Sequence, residues 1–297
     1  MLQPFYDAFG ALMKFIYEYL AFHSYGLAII IFTILTKLVL MPLSIKQYKT
    51  TFIGQRLQPE LKAIQKLYKD DPQRMQEEIS ALYKRHGSSQ FSGCLPTLIQ
   101  FPIIIVLYDV IRKPLTYIMG MSQEVLGQIV ERLKDVEGFR LIGGMNDISI
   151  LNYLSGHADR LANVPEIAAD KVMNLNFLGI FNLGVNPTIN PGQLFGEEMA
   201  LYLPLLLIPV LAAVTTYIQS KVLMKTSVQK VDDEPDPTEK MTKGMNVMMP
   251  IMILVFAFGV PSGLGLYWII GNVIAIVQQF IFNKFLFKDK ASKEEIK

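Results

Sequence analysis

Lys37 lies inside "YGLAIIIFTILTKLVLMPL", a run of nineteen residues (25–43) that carries no other charge. A helix needs about 20 mostly apolar residues to cross a bilayer, so this run is long enough to be a spanning segment. In hydrocarbon the backbone must satisfy its own polar groups, which restricts such a segment to a helix or a closed barrel. A charge within it costs about 2.5–3.5 kcal/mol on insertion scales and faces a cavity or a bundle interior. Lys37 precedes Lys46 by nine residues, or roughly 13 Å of helix at 1.5 Å per residue. Snorkelling shortens that distance without removing it.

The whole chain agrees with a membrane setting. Hydrophobic residues make up 51% and charged residues 18%, against about 25% charged in an average soluble domain. A net charge of +2 gives no reason to expect specific nucleic-acid binding. Cys94 is the one cysteine, so no internal disulfide can form. "FSGC" faintly resembles a lipoprotein cleavage site, but without an adjacent signal-peptide layout Cys94 reads as a helix-end residue.

Five stretches are expected to span: 25–43, 94–111, 199–224, 245–260 and 262–283. "GVPSGLG" joins the last two as a tight uncharged turn. Residues 1–24 suggest an amphipathic helix at the interface, with Phe5, Phe9, Leu12, Phe15, Ile16 and Tyr19 near one face. A signal peptide is the rival reading, weakened by the lack of a basic start and a small-residue cleavage site. Lys and Arg concentrate in 44–93, in the loop 225–244 and in the tail 284–297, whereas residues 1–24 hold one basic residue. The positive-inside rule then places the N-terminus outside and the C-terminus in the cytoplasm. The predicted class is an all-α polytopic membrane protein with five transmembrane helices, a cytoplasmic helical hairpin and an N-terminal interfacial helix.

The hairpin is expected within 44–93. Leu57, Leu61, Ile64 and Leu67 form one helical stripe, and Met75, Ile79, Leu82 and Tyr83 a second. Between them Asp71 can cap, Pro72 fits a first turn and Gly87 fits a stop. The hairpin is either a plain packed element or an arm that receives a partner. Residues 112–198, with ten acids and seven bases, predict short helices and loops outside the membrane.

Several spans carry polar residues beside Lys37. Thr33 shares its helical face, with Thr36 flanking. Gln100 lies in the second expected span, and Thr215, Thr216 and Gln219 in the third. Trp268, Asn272 and Gln279 run down one face of the fifth, with Gln278 beside them. Each alone is compatible with interhelical packing. Together with a lysine that no intramembrane acid is placed to neutralise, they point to a polar cavity that attracts negative charge. Asp109, near Arg112 at the far end of its span, reads as interfacial. Met241, Met245, Met248, Met249 and Met252 suit either packing or an adaptable apolar surface. No metal-ligand spacing, nucleophile–base set, phosphate loop or dinucleotide fingerprint is found, so neither enzyme chemistry nor a cofactor is expected.

Four pieces in order carry a family resemblance: "TKLVLMPLSIKQYKT", "LQPELKAIQKLYKDDPQRMQEEISALYKRHG", "GCLPTLIQFPIIIVLYDVI" and "MMPIMILVFAFGVPSGLGLYWIIGNVIAIVQQFIF". They resemble the YidC/Oxa/Alb family of membrane-protein insertases. The resemblance implies a five-helix core with a hydrophilic groove, open to the cytoplasm and to lipid, in which Lys37, Gln100 and Trp268 match the family's groove residues. One position departs: the family usually has arginine where this chain has Lys37. Lysine keeps a point charge but loses the planar five-donor fork. The implied partners are nascent membrane proteins, the ribosome and the lipid bilayer, with a Sec translocon left open. The hairpin and the basic tail would meet the ribosome or the nascent chain. A small-solute transporter using Lys37 as an anion or proton site is a rival, as is a membrane scaffold. Transporters often show internal repeats, and none is found here.

Overall fold

The computed structural model describes residues 3–87, 95–225 and 237–287. Cys94, the loop residues 226–236 and the basic tail 288–297 lie outside the described residues. So do the side chains of Met241 and Met245.

Along the chain, α1 (Gln3–Phe15) continues through a wider helical turn, Ile16–Leu20. It is followed by α2 (Tyr25–Val39), α3 (Met41–Arg56), α4 (Gln58–Leu67), α5 (Pro72–Arg85) and α6 (Leu95–Arg112). Next come α7 (Pro114–Tyr117), α8 (Gln123–Leu133) and α9 (Asn146–Leu154), then a two-stranded ladder of β1 (Asn176–Phe177) and β2 (Phe181–Asn182). The short helices α10 (Pro191–Leu194) and α11 (Met199–Tyr202) precede α12 (Leu207–Lys225), α13 (Pro237–Phe258) and α14 (Ser262–Phe282). The chain is therefore mostly helical. Among the described residues, Met199–Leu223 and Ser262–Phe285 are helical runs long and apolar enough to cross a membrane. The pair Gln3–Leu20 and Tyr25–Val39 meets the same test jointly but bends by 118°, and Val247–Phe258 is apolar but shorter.

The chain divides into two units. The first takes residues 1–36, 103–214 and 251–271. Its core joins Met13 and Ile16 of α1, Ile29 and Phe32 of α2, Leu107 and Ile111 of α6, Leu126 and Ile129 of α8, and Leu264 of α14. The apolar stripe expected on the N-terminal helix splits in two. Ile16 is buried and Phe9 packs against Phe32 with ring centroids 5.4 Å apart and planes tilted by 57°, whereas Phe5, Leu12, Phe15 and Tyr19 point outward. Phe22 and His23, both with positive φ, turn the chain into α2.

Residues 112–198 are tied to this core through contacts that local pattern cannot show. Ser262 donates its backbone N–H and its hydroxyl to the carbonyl of Val185, at 3.0 and 2.7 Å, and Gly263 N–H reaches the Leu183 carbonyl at 2.7 Å. The first donors of α14, which no helical carbonyl can serve, are thus satisfied by the segment 112–198. A short antiparallel hairpin also forms there, where only helices and loops are expected: Asn176 pairs with Asn182 and Phe177 with Phe181. Leu178 and Gly179 both take positive φ at its tip, as tight hairpin turns demand. The hairpin seats Phe177 on α2 at Gly26, where an added Cβ would stand 2.2 Å from the ring.

Asp147, in the first turn of α9, is 1% exposed. It accepts from Thr116 N–H at 2.8 Å, Thr116 Oγ1 at 3.0 Å and Gln123 Nε2 at 3.4 Å. At the C-terminal end of α6, Asp109 pairs with Lys113 at 2.9 Å and accepts from the Tyr117 hydroxyl at 2.8 Å. Arg112 donates to Tyr108 Oη at 3.0 Å and lies over that ring.

The second unit takes residues 37–102, 215–250 and 272–297. Its α4–α5 hairpin has a narrow seam of Leu57, Leu61, Ile79 and Leu82, with Ile53, Ile64, Met75 and Tyr83 packed against it. Asp71 caps α5 by accepting from Arg74 N–H at 3.0 Å, Pro72 opens the helix, and Gly87 with φ +62 ends it. Leu67, expected on the seam, is 73% exposed. At 3.6 residues per turn, ten residues from Leu57 carry it about 80° off the stripe.

Burial pushes the Asp147 carboxyl above its ordinary range, against the opposing hydrogen bonds from Thr116 and Gln123. A raised folded value makes its contribution to stability complete below the unfolded value of about 3.9, and progressively lost as pH rises through the folded one. Asp147→Asn is expected to flatten this part of the pH dependence of thermal unfolding in micelles while still accepting from Thr116. Asp147→Ala, which strands the Thr116 donors, is expected to cost about 1–3 kcal/mol at low pH, and less as pH rises through the folded value.

Candidate functional site: a polar cluster on α2, α12 and α14

Lys37 sits in the last turn of α2 and is half-buried. Among the described residues it forms no salt bridge. Its position near a helix C-terminus supplies partial compensation, because unsatisfied carbonyls there carry about half a negative charge. Its own carbonyl accepts from Gln278 Nε2 at 3.5 Å.

The polar residues of α12 and α14 meet within the same unit. Asn272 Nδ2 donates to both Thr215 Oγ1, at 3.0 Å, and Thr216 Oγ1, at 2.9 Å. One amide serving two adjacent hydroxyls fixes α14 against α12 at that level. Two turns further along α14, Gln279 Nε2 donates to the Val222 carbonyl at 3.0 Å. Thr216, Asn272, Gln278 and Gln279 are all buried. Such bonds are strongly directed in an apolar setting, because unmade partners stay desolvated. Gln219 on α12 and Gln100 on α6 are half-buried in this unit.

The remaining expected residues belong to the other unit. Thr33 is fully buried and donates to the Ile29 carbonyl at 2.7 Å, and Thr36 donates to Phe32 at 2.8 Å. Both hydroxyl protons are committed to their own helix, a common arrangement for mid-helix threonine. Trp268 is half-buried, with its ring 6.1 Å from Phe256 and tilted by 57°.

Two residues extend the cluster beyond the expected set. Gln278 holds the Lys37 carbonyl; the sequence places it beside the polar face of α14 but not on it. Tyr48 of α3 donates to the Ala275 carbonyl at 3.0 Å and packs edge-on against Phe282 at 5.1 Å. Burial pushes its phenol up to about 12, so it remains a neutral donor at physiological pH. No local pattern around Tyr48 announces this contact, since it joins residues 227 apart.

These features define a helical membrane protein with a partly buried cation and a hydrogen-bonded polar cluster. The family model of the 60Kd inner membrane protein matches residues 15–290, and the chain belongs to that family. It is 31% identical over 261 residues to "Membrane protein insertase YidC 1" of Halalkalibacterium halodurans, covering 86% of this chain and 69% of that one. It is also 31% identical over 261 residues to "Membrane protein insertase YidC" of Chloroherpeton thalassium, covering 88% of this chain and 33% of the relative. The chloroplastic "Inner membrane protein ALBINO3" of Arabidopsis thaliana is 31% identical over 265 residues, 88% of this chain and 47% of the relative. The chain thus spans about a third of the length of several curated relatives it matches.

Asn272→Leu is expected to destabilise the protein by about 0.6–2 kcal/mol in micelles, the range measured for interhelical hydrogen bonds in membranes. A double-mutant cycle with Thr215→Val and Thr216→Val is expected to be non-additive, since all three variants break one shared set of bonds. Additive losses would show that the amide does not depend on those hydroxyls.

Proposed function

We propose that this chain is a membrane-protein insertase and chaperone. The observation that carries the reading is Lys37: a half-buried ammonium without a salt bridge among the described residues, in the unit that also holds the Asn272 and Gln279 hydrogen bonds. Family membership supports it. The proposed chain has five spans, with its N-terminus outside and its C-terminus in the cytoplasm, a bacterial plasma-membrane setting and no enzymatic step. The positive-inside distribution of Lys and Arg supports that orientation.

In this reading, Lys37, Gln100, Thr215, Thr216, Gln219, Asn272 and Gln279 line a groove open to the cytoplasm. A short hydrophilic segment of a nascent membrane protein, often acidic, enters it. Lys37 supplies a positive potential, and the polar side chains replace part of the segment's lost hydration. The substrate's apolar segment then moves along α12 and α14 into lipid. Both helices expose apolar side chains, among them Val210, Val214 and Ile218 on α12 and Val273, Val277 and Phe280 on α14. Transfer of apolar area into the bilayer is the driving force, so no nucleotide is consumed. The α4–α5 hairpin and the basic tail receive the ribosome or the nascent chain, with a Sec translocon as an additional partner for some substrates. Met248, Met249 and Met252 are exposed on α13 and offer an adaptable apolar surface.

Complementation of insertase-depleted cells tests the charge. Lys37→Arg is expected to function, Lys37→Ala to be impaired, and Lys37→Glu to fail for substrates with acidic tails. Full rescue of those substrates by Lys37→Glu would contradict a groove that reads charge.

A further inference from the structure

Residues 112–198 divide by charge. All seven bases and eight of the ten acids lie before residue 172, and no charged residue or histidine occurs from Val172 to Gly196. Within that charge-free stretch several large apolar side chains are exposed, among them Leu178, Ile180, Ile189 and Phe195. Apolar side chains gathered on a surface in this way mark a place where something binds.

The β1–β2 hairpin gives this stretch a tip of defined shape. Ile180 N–H closes the turn on the Phe177 carbonyl at 3.3 Å, and the two central residues, Leu178 and Gly179, both have positive φ. Such a turn favours Asn-Gly or Asp-Gly, because a short polar side chain tolerates that backbone. The chain sets a leucine there instead, at a conformational cost. Leu178 is 73% exposed and Ile180 54%, so packing within the chain does not offset that cost. A leucine that breaks the local rule while facing outward has its use outside the chain.

The attachments of the hairpin identify that use. Just past β2, the Leu183 and Val185 carbonyls accept from the first donors of α14. That helix opens the run Ser262–Phe285, which is long and apolar enough to cross a membrane. At the tip, Phe177 lies against Gly26 in the first turn of α2, four residues after the exposed Phe22. The two helix starts are themselves adjacent, since Gly263 of α14 faces Ile29 of α2. The hairpin thus reaches from the start of one apolar helix to the start of another, and Leu178 stands one residue, about 3.8 Å, beyond Phe177. The start of a spanning run is the boundary between hydrocarbon and water. From this we infer that the tip Leu178–Ile180 inserts into the bilayer interface and anchors the segment to lipid. Lipid is favoured over a protein partner because the tip is held at the level of that boundary. The absence of charge from 172 to 196 also leaves no ion whose desolvation would oppose entry. The choice of leaflet rests on the topology proposed above; insertion rests neither on that nor on the insertase reading.

The test labels Ile180→Cys with the environment-sensitive dye NBD in the Cys94→Ser chain, which lacks the one native thiol. The full-length protein is reconstituted in phosphatidylcholine vesicles. Glu137→Cys, exposed in the charged half of the segment, carries the same dye as a water-facing reference. At position 180 the emission is expected to be blue-shifted, quenched by lipids bearing a doxyl group near the headgroup, and protected from aqueous iodide relative to position 137. Leu178→Asn supplies the residue that the turn prefers, so the unfolding temperature in micelles is expected to hold or rise. In vesicles the same substitution is expected to remove lipid quenching at position 180 and to admit iodide. Iodide quenching at 180 equal to that at 137 would overturn the anchor. Protection from iodide without doxyl quenching would show a contact between copies of the chain and overturn the assignment to lipid. A lowered unfolding temperature in Leu178→Asn would make Leu178 a packing residue, and lipid quenching unchanged by it would show that Leu178 does not drive insertion; either result would overturn the role given to the tip. Because the readout is lipid contact, it is independent of the Lys37 complementation test.

Discussion

An ammonium placed late in an apolar helix sets the terms for the structure around it. The cost of such a charge, about 2.5–3.5 kcal/mol on insertion scales, is not recovered through a carboxylate: Lys37 forms no salt bridge among the described residues. What is available is weaker and more distributed. Lys37 occupies the last turn of α2, where the helix dipole favours a cation, and the same unit carries polar side chains on α12 and α14. An arrangement that tolerates a cation without neutralising it leaves a positive potential available to something else. A buried carboxylate partner would have stabilised the pair and removed that potential.

The polar side chains expected at the site divide by how their hydrogen bonds are used. Asn272 and Gln279 bond across to α12, so they hold helices together and supply polarity at once. Thr33 and Thr36, which belong to the other unit, bond to their own helix. At position 37, a lysine's point charge with three rotatable donors asks for fewer fixed acceptors than a planar guanidinium fork would.

Much of the second unit was legible in the sequence because its determinants are local. The α4–α5 seam follows helical periodicity, and Asp71, Pro72 and Gly87 act within a few residues of where they stand. Leu67 departs because a straight stripe drifts around a short helix. The polar face of α14 was legible for the same reason, since Trp268, Asn272 and Gln279 repeat at helical spacing. What Asn272 bonds to was not, because its acceptors lie 56 and 57 residues away. The segment 112–198 was the least legible. Its hairpin is held by Phe177 at Gly26, and its carbonyls at Leu183 and Val185 serve the start of α14. Each of these joins residues far apart in the chain, and no periodicity encodes them. At the end of α6, the partners of Asp109, Lys113 and Tyr117, and the stacking of Arg112 on Tyr108 were not legible either.

The most direct measurement is site-specific photocrosslinking to a ribosome-stalled membrane protein with an acidic N-terminal tail. The crosslinker is placed at position 37, at Asn272 as a second polar position, and at Val210 as an outward apolar control. The account predicts adducts between the acidic tail and positions 37 and 272 early in insertion, and adducts between the apolar segment and position 210 later. Adducts of the stalled chain at position 210 with none at 37 or 272 would show that substrates bypass the charged cluster, and would contradict the account.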